Sequence, residues 1–363
     1  MEIVRKVRET IGRYSMLSDG DHVLIGLSGG ADSVCLAVIL DKVREVFNLS
    51  LSALYVDHGL RPRETPQEHT FCEKLCAGMR VNFHARAVNV RDYAGEKGCN
   101  LQEGARELRY GLYEETAEEV GATRIALGHH ADDQAETVLM RLIRGAGRKG
   151  LTGIPPVRGR IVRPLIETER REIEAFLSAG GVSFMTDSSN LRVDYFRNWV
   201  RRSLMEEIRK QNPAIVRDLC RTADILREED EYLEIIVTKT LMRLISRKTD
   251  CSIELFLSPL AVIEVPLLRR ILRRAIGATQ GLRRTAFVHI DDMMKLIRQG
   301  RAGDSIALPG GVRVIREYSL LKITVERPPS LSEYELLPPG EVVLKEAGPS
   351  RQVRLWRARA QSR

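Results

Sequence analysis

A short string rich in glycine and hydroxyl residues constrains the fold of this chain more than any other stretch. It reads Ser28-Gly29-Gly30-Ala31-Asp32-Ser33. The run Val23–Leu27 before it suits a buried strand, and the apolar run Val34–Leu40 after it suits a helix packed on a sheet. Unpaired backbone N–H groups and the positive end of a helix dipole at such a loop favour a bound phosphate. Two glycines alone would fit an ordinary turn equally well, but the full string favours nucleotide binding.

Strand and helix patterns alternate after this loop. Strand patterns lie at Leu51–Leu60, Val81–Val88, Arg124–His129 and Ile161–Leu165, and helical patterns lie at Glu68–Gly78, Glu103–Val120 and Glu169–Ala179. This alternation predicts an α/β fold with a doubly wound, mainly parallel, Rossmann-like sheet. The last of these strands should be an edge strand, because Pro164 cannot donate to a β-ladder. Ligands of such sheets bind beyond the carboxyl ends of the strands, so polar residues there should share one rim.

The second half of the chain is predicted to form a smaller, mostly helical domain. Asn212 and Pro213 provide an N-cap and a first-turn proline for a helix that reaches about Ser246. We therefore expect a catalytic domain over residues 1–212 and a helical or α+β domain over residues 213–327. A helix ending at Gly300 and a hairpin around Pro309-Gly310-Gly311 belong to the second domain. Residues 328–363 form a short basic tail or the start of a truncated third domain.

Composition indicates an ordinary globular protein whose positive charge is compatible with a polyanionic partner but does not specify one. Hydrophobic residues make up 43% and charged residues 29% of 363 residues, and the net charge is +8. The start of the chain is an amphipathic, mixed-charge helix without a secretory apolar core, and no apolar run approaches a membrane span, so we expect a cytoplasmic protein. The six cysteines include no Cys-x-x-Cys pair, which disfavours zinc-ribbon, iron–sulfur and thioredoxin-like sites and predicts free thiols. Cys72 and Cys76 are one helical turn apart and are expected to be packing residues.

A second polar cluster follows the strand pattern at residues 124–129. It combines His129 and His130 with three carboxylates, Asp132, Asp133 and Glu136, at the start of a predicted helix. Acidic residues at a helix start can simply complement the dipole. The density of charge here favours instead a site for magnesium or for a cationic substrate amine. Adjacent histidines do not have the spacing of a zinc motif. Each histidine either takes up a proton or serves as hydrogen-bonded scaffolding.

Basic residues form the remaining candidates. The loop at residues 144–151 carries Arg148 and Lys149 and is either a flexible connector or a contact to phosphate or RNA. Arg197 and Arg201 share a helix face and suit polyphosphate or an RNA backbone, although such faces are often solvated. Two further arginine doublets lie at helical spacing, and we assign them with the loop to RNA contact: Arg148, Lys149, Arg269, Arg270, Arg273 and Arg274.

Four strings together resemble the tRNA(Ile)-lysidine synthetase family, a branch of the PP-loop N-type ATP pyrophosphatases. They are Ser28–Ser33, Tyr55–Arg61, Gly128–Thr137 and Phe196–Arg201. The resemblance covers roughly residues 20–215 with specific motifs, and the second domain matches more loosely. The loop at Ser28–Ser33 lacks the Gly-Lys-Ser/Thr ending of the common nucleotide triphosphatase motif, whose lysine contacts the terminal phosphates.

The resemblance implies a two-step ligation. ATP adenylates O2 of the wobble cytidine in an isoleucine tRNA with a CAU anticodon, and the amine of L-lysine then attacks C2 and expels AMP. The ATP site would be Ser28, Gly29, Gly30, Ala31, Asp32 and Ser33. Asp32 would bind Mg²⁺, while Asp132, Asp133 and Glu136 would bind lysine. Arg197 or Arg201 would stabilise the transferring phosphate, and Asp32, Asp133, Glu136, Arg197 and Arg201 form the expected catalytic set.

This sequence departs from the family pattern at two places. Trp199 stands where another basic or polar residue usually follows the Arg-Asn string, and it is interpreted as a buried aromatic in preference to a stacking surface for a base. Longer family members carry an additional C-terminal domain that helps to hold the tRNA. Here Leu337–Leu344 resembles the opening of that domain, but the sequence ends soon afterwards. The alternatives are a PP-loop tRNA thiolase and a nucleotide-regulated RNA-binding protein without catalysis. No motif specifies the oligomeric state, and a homodimer is left open.

Overall fold

The computed structural model describes residues 2–60, 65–185, 195–279, 285–326, 340–343 and 352–355. The chain divides into two compact units, Met1–Asp230 and Glu231–Arg363. The division falls within one long helix, 18 residues beyond the position near 212 that the sequence suggested. Asn212 does accept a hydrogen bond from the backbone N–H of Ala214 at 2.9 Å, as expected of a residue that starts this helix.

The first unit alternates strands and helices in the predicted order. Its helices are α1 (Glu2–Arg13), α2 (Ala31–Val43), α3 (Thr65–Met79), α4 (Val90–Lys97), α5 (Leu101–Val120), α6 (Ala131–Ile143), α7 (Arg148–Leu151), α8 (Arg170–Ala179), α9 (Tyr195–Trp199) and α10 (Met205–Gln211). A π-helical segment, Val200–Leu204, joins α9 to α10, and the long helix is α11 (Ile215–Leu244). The strands of the first unit are β1 (His22–Gly26), β2 (Ser50–Asp57), β3 (Asn82–Ala87), β4 (Arg124–Ala126), β5 (Val157–Arg158) and β6 (Ile161–Val162).

Within the described residues of this unit the strands form a six-stranded sheet in the order β3-β2-β1-β4-β6-β5. All pairings are parallel except that of β5 with β6. The prediction of a mainly parallel, doubly wound sheet is therefore confirmed. The prediction that the strand at Ile161 is an edge strand was wrong, because β5 pairs on its outer side and Pro164 lies beyond the strand's end.

Helices bury both faces of this sheet. Val23 and Ile25 point into a core shared with α1, α2 and α8, whereas Leu24 points into a second core shared with α5. All three side chains are fully buried. A strand covered on both sides has no polar face, which explains why the sequence before the loop is continuously apolar. Helix α2 is itself buried along most of its length, so the loop between β1 and α2 is anchored at both ends.

The second unit contains an antiparallel sheet of which the sequence predicted only one hairpin. Its elements are β7 (Ile245–Lys248), β8 (Ser252–Phe256), α12 (Leu257–Val262), α13 (Val265–Gly277), α14 (Phe287–Gln299), β9 (Ser305–Ala307), a 3₁₀ turn (Pro309–Gly311), β10 (Arg313–Arg316) and β11 (Leu320–Thr324). The described strands from β7 to β11 form an antiparallel sheet in the order β7-β8-β11-β10-β9. The expected hairpin and the helix ending at Gly300 are both present. Strands β12 (Gly340–Val343) and β13 (Gln352–Leu355) pair with each other.

Two findings bear on the expectations from composition. No helix within the described ranges is long and apolar enough to cross a membrane. All six cysteines are free thiols, and Cys72 and Cys76 are fully buried packing residues.

Candidate active site

The loop between β1 and α2 is held in shape by its own serines. The backbone N–H of Ser28 donates to Oγ of Ser33 at 3.1 Å, and that hydroxyl donates to the carbonyl of Gly30 at 3.0 Å. Gly29 has a φ of +80°, a left-handed conformation that favours glycine. Gly30 adopts the extended N-cap conformation and has no side chain to cap the first turn of α2. The amides at the start of α2 are thus placed to receive phosphate oxygens.

The second polar cluster lies directly against this loop. A Cβ atom on Gly128 would come within 3.0–3.2 Å of the backbone of Asp32 and Ser33. A side chain at this position would crowd that backbone, so glycine favours the close approach of the segment after β4 to the start of α2. The two strings that the sequence placed on one rim therefore lie next to each other, as the parallel sheet predicted.

Asp32 is paired with an arginine that the sequence did not indicate. Nη1 of Arg170 donates to both carboxylate oxygens of Asp32 at 2.6 Å, and Nε of Arg170 donates to Glu174 at 2.7 Å. Burial raises the pKa of the Asp32 carboxyl, and the opposing effects of His130 and Arg170 do not fully offset it. Arg170 is the first residue of α8 and belongs to no recognisable motif, so only the fold identifies it.

His130 lies among three carboxylates. Its Nε2 is 3.4 Å from Asp133 and 3.7 Å from Asp32, and its Nδ1 is 3.6 Å from Asp132. Although burial alone would lower the pKa of this imidazole, the neighbouring carboxylates raise it to about 9. His130 is therefore a buried imidazolium at neutral pH, with only 4% of its surface exposed. A histidine that is already protonated holds charge and does not take up a proton.

His129 has the opposite character. Burial lowers the pKa of its imidazole to about 3, so the ring is neutral. Its Nδ1 accepts a hydrogen bond from Nε of Arg163 at 3.3 Å. Arg163 is almost fully buried and also donates to the carbonyl of Pro155 at 2.7 Å. Of the two roles left open for this histidine, hydrogen-bonded scaffolding fits these contacts.

The two arginines and two of the carboxylates predicted for the site bind each other. Arg197 donates to Glu136 at 3.0 Å and to Asp133 at 2.9 Å. Arg201 donates through Nε to Glu136 at 2.5 Å and through Nη2 to Asp133 at 3.1 Å. Burial on its own would raise the pKa of the Asp133 carboxyl, but His130 and the two arginines hold it well below its usual value. We call these four residues the charge cluster.

Asp132 is held apart from the charge cluster. Its Oδ1 accepts from Nη2 of Arg209 at 2.5 Å, and its Oδ2 accepts from the backbone N–H of Arg170 at 2.7 Å. Arg209 is a second arginine that sequence reasoning missed, because it comes from α10, 77 residues away along the chain. Asp133 and Glu136 therefore share the same two arginines, whereas Asp132 is bonded to Arg209 and to the backbone of Arg170.

Three cavities open around Asp32. The largest, about 520 Å³, has charged walls, and the second, about 340 Å³, lies against the loop. The first is lined by Asp32, His130, Asp132, Glu136, Arg170, Arg201, Arg202, Met205, Glu206 and Arg209. The second is lined by Leu27, Ser28, Gly30, Ala31, Asp32, Tyr55, Val56, His58, Glu68, Arg109, Tyr113, Arg170, Phe184 and Met185. Asp32 and Arg170 form walls of both cavities. A third cavity, about 190 Å³, also includes Asp32 and extends to His129.

The described residues provide no dedicated metal-binding cage. The described residues contain no group of three His, Cys, Asp or Glu side chains able to hold a metal ion. A magnesium ion that accompanies a nucleotide needs only one or two protein carboxylates, because phosphates and water supply its other ligands. Asp32, next to the loop, fits that requirement.

The residues predicted to contact RNA are divided between the two units. In the first unit, Arg148 is paired with Glu229, and Lys149 is exposed. In the second unit three of the four arginines on α13 have acidic partners: Arg269 with Asp291, and both Arg270 and Arg274 with Glu234. Arg273 is exposed.

The prediction that Trp199 is buried was wrong. Its side chain is 48% exposed and stacks on Phe196, with ring centroids 6.0 Å apart and an interplanar angle of 19°. The helix face that packs inward at this point carries Phe196 and Val200 instead. Arg61 and, within the predicted tail, residues 328–339, 344–351 and 356–363 lie outside the described residues.

Comparison with known proteins agrees with this architecture. Residues 2–208 match the PP-loop domain family. The chain is 33% identical to the tRNA(Ile)-lysidine synthase of Clostridioides difficile over 329 residues, which is 89% of this chain and 71% of that protein. It is 35% identical to the tRNA(Ile)-lysidine synthase of Geobacter sulfurreducens over 87% of this chain and 68% of that protein. A similar fold occurs in the U34-tRNA thiolase NcsA from Methanococcus maripaludis, with a TM-score of 0.53 and 24% identity over 62% of this chain and 78% of that one.

Proposed function

Since the chain belongs to the tRNA(Ile)-lysidine synthase family of PP-loop enzymes, we propose that it converts the wobble cytidine of an isoleucine tRNA to lysidine with ATP and L-lysine. One observation carries the proposal most directly. Asp32 and Arg170 form a wall shared by the cavity at the phosphate loop and the charged cavity. A nucleotide in the first would bring its phosphates beside the second, where the RNA base and the amine would meet. Its substrates place the reaction in the cytoplasm.

In the first step, O2 of the cytidine attacks the α-phosphorus of ATP. The bond from that phosphorus to the bridging oxygen breaks, and pyrophosphate leaves with the electron pair. The hydroxyls of Ser28 and Ser33 and the amides at the start of α2 would donate to the pyrophosphate oxygens. Mg²⁺ bound to Asp32 and the phosphates would neutralise their negative charge. Arg170 already contacts Asp32, so its guanidinium lies beside the same phosphates.

In the second step, the amine of lysine attacks C2 of the adenylated cytidine. The C2–O2 bond breaks, AMP leaves with that oxygen, and the attacking nitrogen loses a proton to solvent water. Asp133 and Glu136 are the carboxylates that would bind the lysine. Both are occupied by Arg197 and Arg201 in the charge cluster, so lysine must replace at least one guanidinium. The negatively charged phosphates of ATP are the natural alternative partner for a displaced arginine.

Four of the six cysteines are poor candidates for sulfur transfer, the reaction of the PP-loop thiolase alternative. Burial raises the pKa of the thiols of Cys35, Cys72, Cys76 and Cys220 to about 12, which disfavours thiolate. The described residues also contain no cysteine group that could hold a cluster. The fold similarity to a thiolase thus concerns the shared ATP-using domain.

Analysis of the product nucleoside tests the proposal. The protein is incubated with an isoleucine tRNA bearing a CAU anticodon, ATP, Mg²⁺ and isotope-labelled lysine, and the wobble nucleoside is identified by mass spectrometry. We expect labelled lysidine with one AMP and one pyrophosphate per nucleoside. Incorporation of sulfur from a donor without lysine would establish the thiolase alternative. ATP binding without AMP formation would establish a non-catalytic RNA-binding protein.

A further inference from the structure

We propose that Trp199 is a stacking platform for an unpaired base of the RNA substrate, next to the base that reacts. The inference rests on the proposed function, because it takes tRNA as the substrate. It adds a base-binding site, and it concerns a residue at which this chain departs from the family pattern.

The aromatic surface is supported from beneath and remains open. The Trp199 ring lies nearly parallel to Phe196, which packs against a buried cluster of α6, α10 and α11. The guanidinium of Arg144 lies 5.1 Å from the centre of the Phe196 ring. Nearly half of the Trp199 side chain is exposed, so a ring that is already fixed in place still offers area for stacking. A fixed aromatic surface loses little conformational entropy when a base binds.

The position of Trp199 on its helix indicates which base it would contact. Side chains two positions apart on a helix point to opposite sides, so Trp199 faces away from Arg197 and Arg201. Arg202 is exposed and lies one turn beyond Trp199, and it also lines the charged cavity. Trp199 is thus outside the charged cavity, whereas Arg202, one turn further along the helix, lines it. This arrangement suits a base that flanks the reacting cytidine better than the cytidine itself.

The surrounding charge favours RNA as the occupant. Arg144 lies over the Phe196 ring, and Arg202 follows Trp199 by three residues along the helix; both arginines are exposed, and the whole chain carries a net charge of +8. Aromatic rings next to arginines bind single-stranded RNA by stacking on bases and by attraction to phosphates. An apolar protein partner would gain nothing from the two guanidinium groups. We therefore commit to an unpaired nucleobase.

Tryptophan fluorescence provides a direct measurement. The chain has two tryptophans, Trp199 and Trp356, so the W356F variant reports on Trp199 alone. This variant is titrated, without ATP, with an anticodon stem–loop RNA that carries the CAU anticodon. Stacking predicts saturable quenching of the emission. Unchanged emission during saturable binding, followed independently by fluorescence anisotropy of labelled RNA, would overturn the inference.

Substitutions separate stacking from structural effects. Trp199→Ala should weaken stem–loop binding about 5- to 100-fold, and Trp199→Phe should recover most of that loss because it keeps a ring. Tyr318→Ala is the matched control, since Tyr318 is 95% exposed in the second unit, and it should bind as the wild type does. Equal affinity of the Trp199→Ala variant and the wild type would refute the platform.

Abasic RNAs identify the base. Each loop nucleotide is replaced in turn by an abasic sugar, and the affinity is measured with the wild type and with Trp199→Ala. One position should weaken wild-type binding strongly and Trp199→Ala binding hardly at all, because both changes remove the same contact. Additive losses at every position would contradict the inference. If the wild type forms lysidine while this pattern is absent, only the platform fails; if it neither binds the tRNA nor forms lysidine, the proposed function fails as well.

Discussion

Nε of Arg201 donates to Oε1 of Glu136 at 2.5 Å, and the Glu136 side chain is 2% exposed. A buried carboxylate is costly without a positive partner, so this pair and the neighbouring Arg197 keep the charge cluster together. Under the proposed function, the lysine amine competes with these two guanidinium groups for the same oxygens. We therefore expect the free protein to bind lysine weakly.

Occupation of the ATP site should increase the affinity for lysine. Phosphates that attract Arg197 or Arg201 would release the carboxylates, and the two ligands would then bind cooperatively. We expect lysine to bind about 10-fold or more tightly, a coupling of about 1.4 kcal/mol, when a non-hydrolysable ATP analogue is present. Isothermal titration calorimetry with and without the analogue measures this difference. Identical lysine affinity in both titrations would show that the arginines do not exchange partners.

Replacement of Asp32 should stop the first chemical step. Asp32→Ala removes the proposed magnesium ligand at the phosphate loop, so AMP release should fall by about 100-fold or more. Binding of tRNA, measured without ATP, should remain close to that of the wild type, because the role proposed for Asp32 is to hold the magnesium ion that accompanies the nucleotide. Glu174→Ala is a matched control that removes another carboxylate bonded to Arg170. A large loss of tRNA affinity in Asp32→Ala would contradict the assigned role.

Replacement of Glu136 should affect lysine more than ATP. Glu136→Ala removes one of the two carboxylates proposed to bind the amine, and KM for lysine should rise about 10-fold or more while KM for ATP changes less. Glu136→Gln preserves the shape and separates loss of charge from loss of packing. Equal increases in both KM values would argue against an amine site at Glu136. Folding of each variant is checked by urea denaturation, since the change leaves two arginines with fewer partners.

The charge of His130 should make stability depend on pH. Its pKa is raised in the folded protein from the ordinary value of 6.5 to about 9, so its contribution is fully present below pH 6.5 and is lost as the pH rises through 9. Over that window the wild type should lose roughly 3 kcal/mol of unfolding free energy more than His130→Gln does. Urea denaturation at pH 6 and pH 9.5, without magnesium, measures both proteins. Parallel pH profiles would show that the imidazole is not held protonated by its carboxylates.

The local pattern of the chain determined the parallel sheet, the loop at Ser28–Ser33 and the rim on which the polar strings meet. Each of these depends on residues close together in sequence: a continuous apolar strand, two glycines, and a helix whose N-terminus follows at once. The antiparallel sheet of the second unit was mostly missed because β7 and β8 are short and follow a long helix directly. The pairing of β8 with β11 joins segments about 70 residues apart, which no local pattern encodes.

The partners of the charged groups were decided only by tertiary structure. Sequence identified Asp32, Asp133, Glu136, Arg197 and Arg201 as candidates, but it assigned the carboxylates and the arginines to different substrates. The fold instead pairs them with each other and brings Arg170 to Asp32 across 138 residues of chain. The fold also makes His129 neutral and the adjacent His130 positively charged, and it exposes Trp199. A residue's type limits which interactions it can make, whereas its charge state and its partner depend on burial and on neighbours from distant segments.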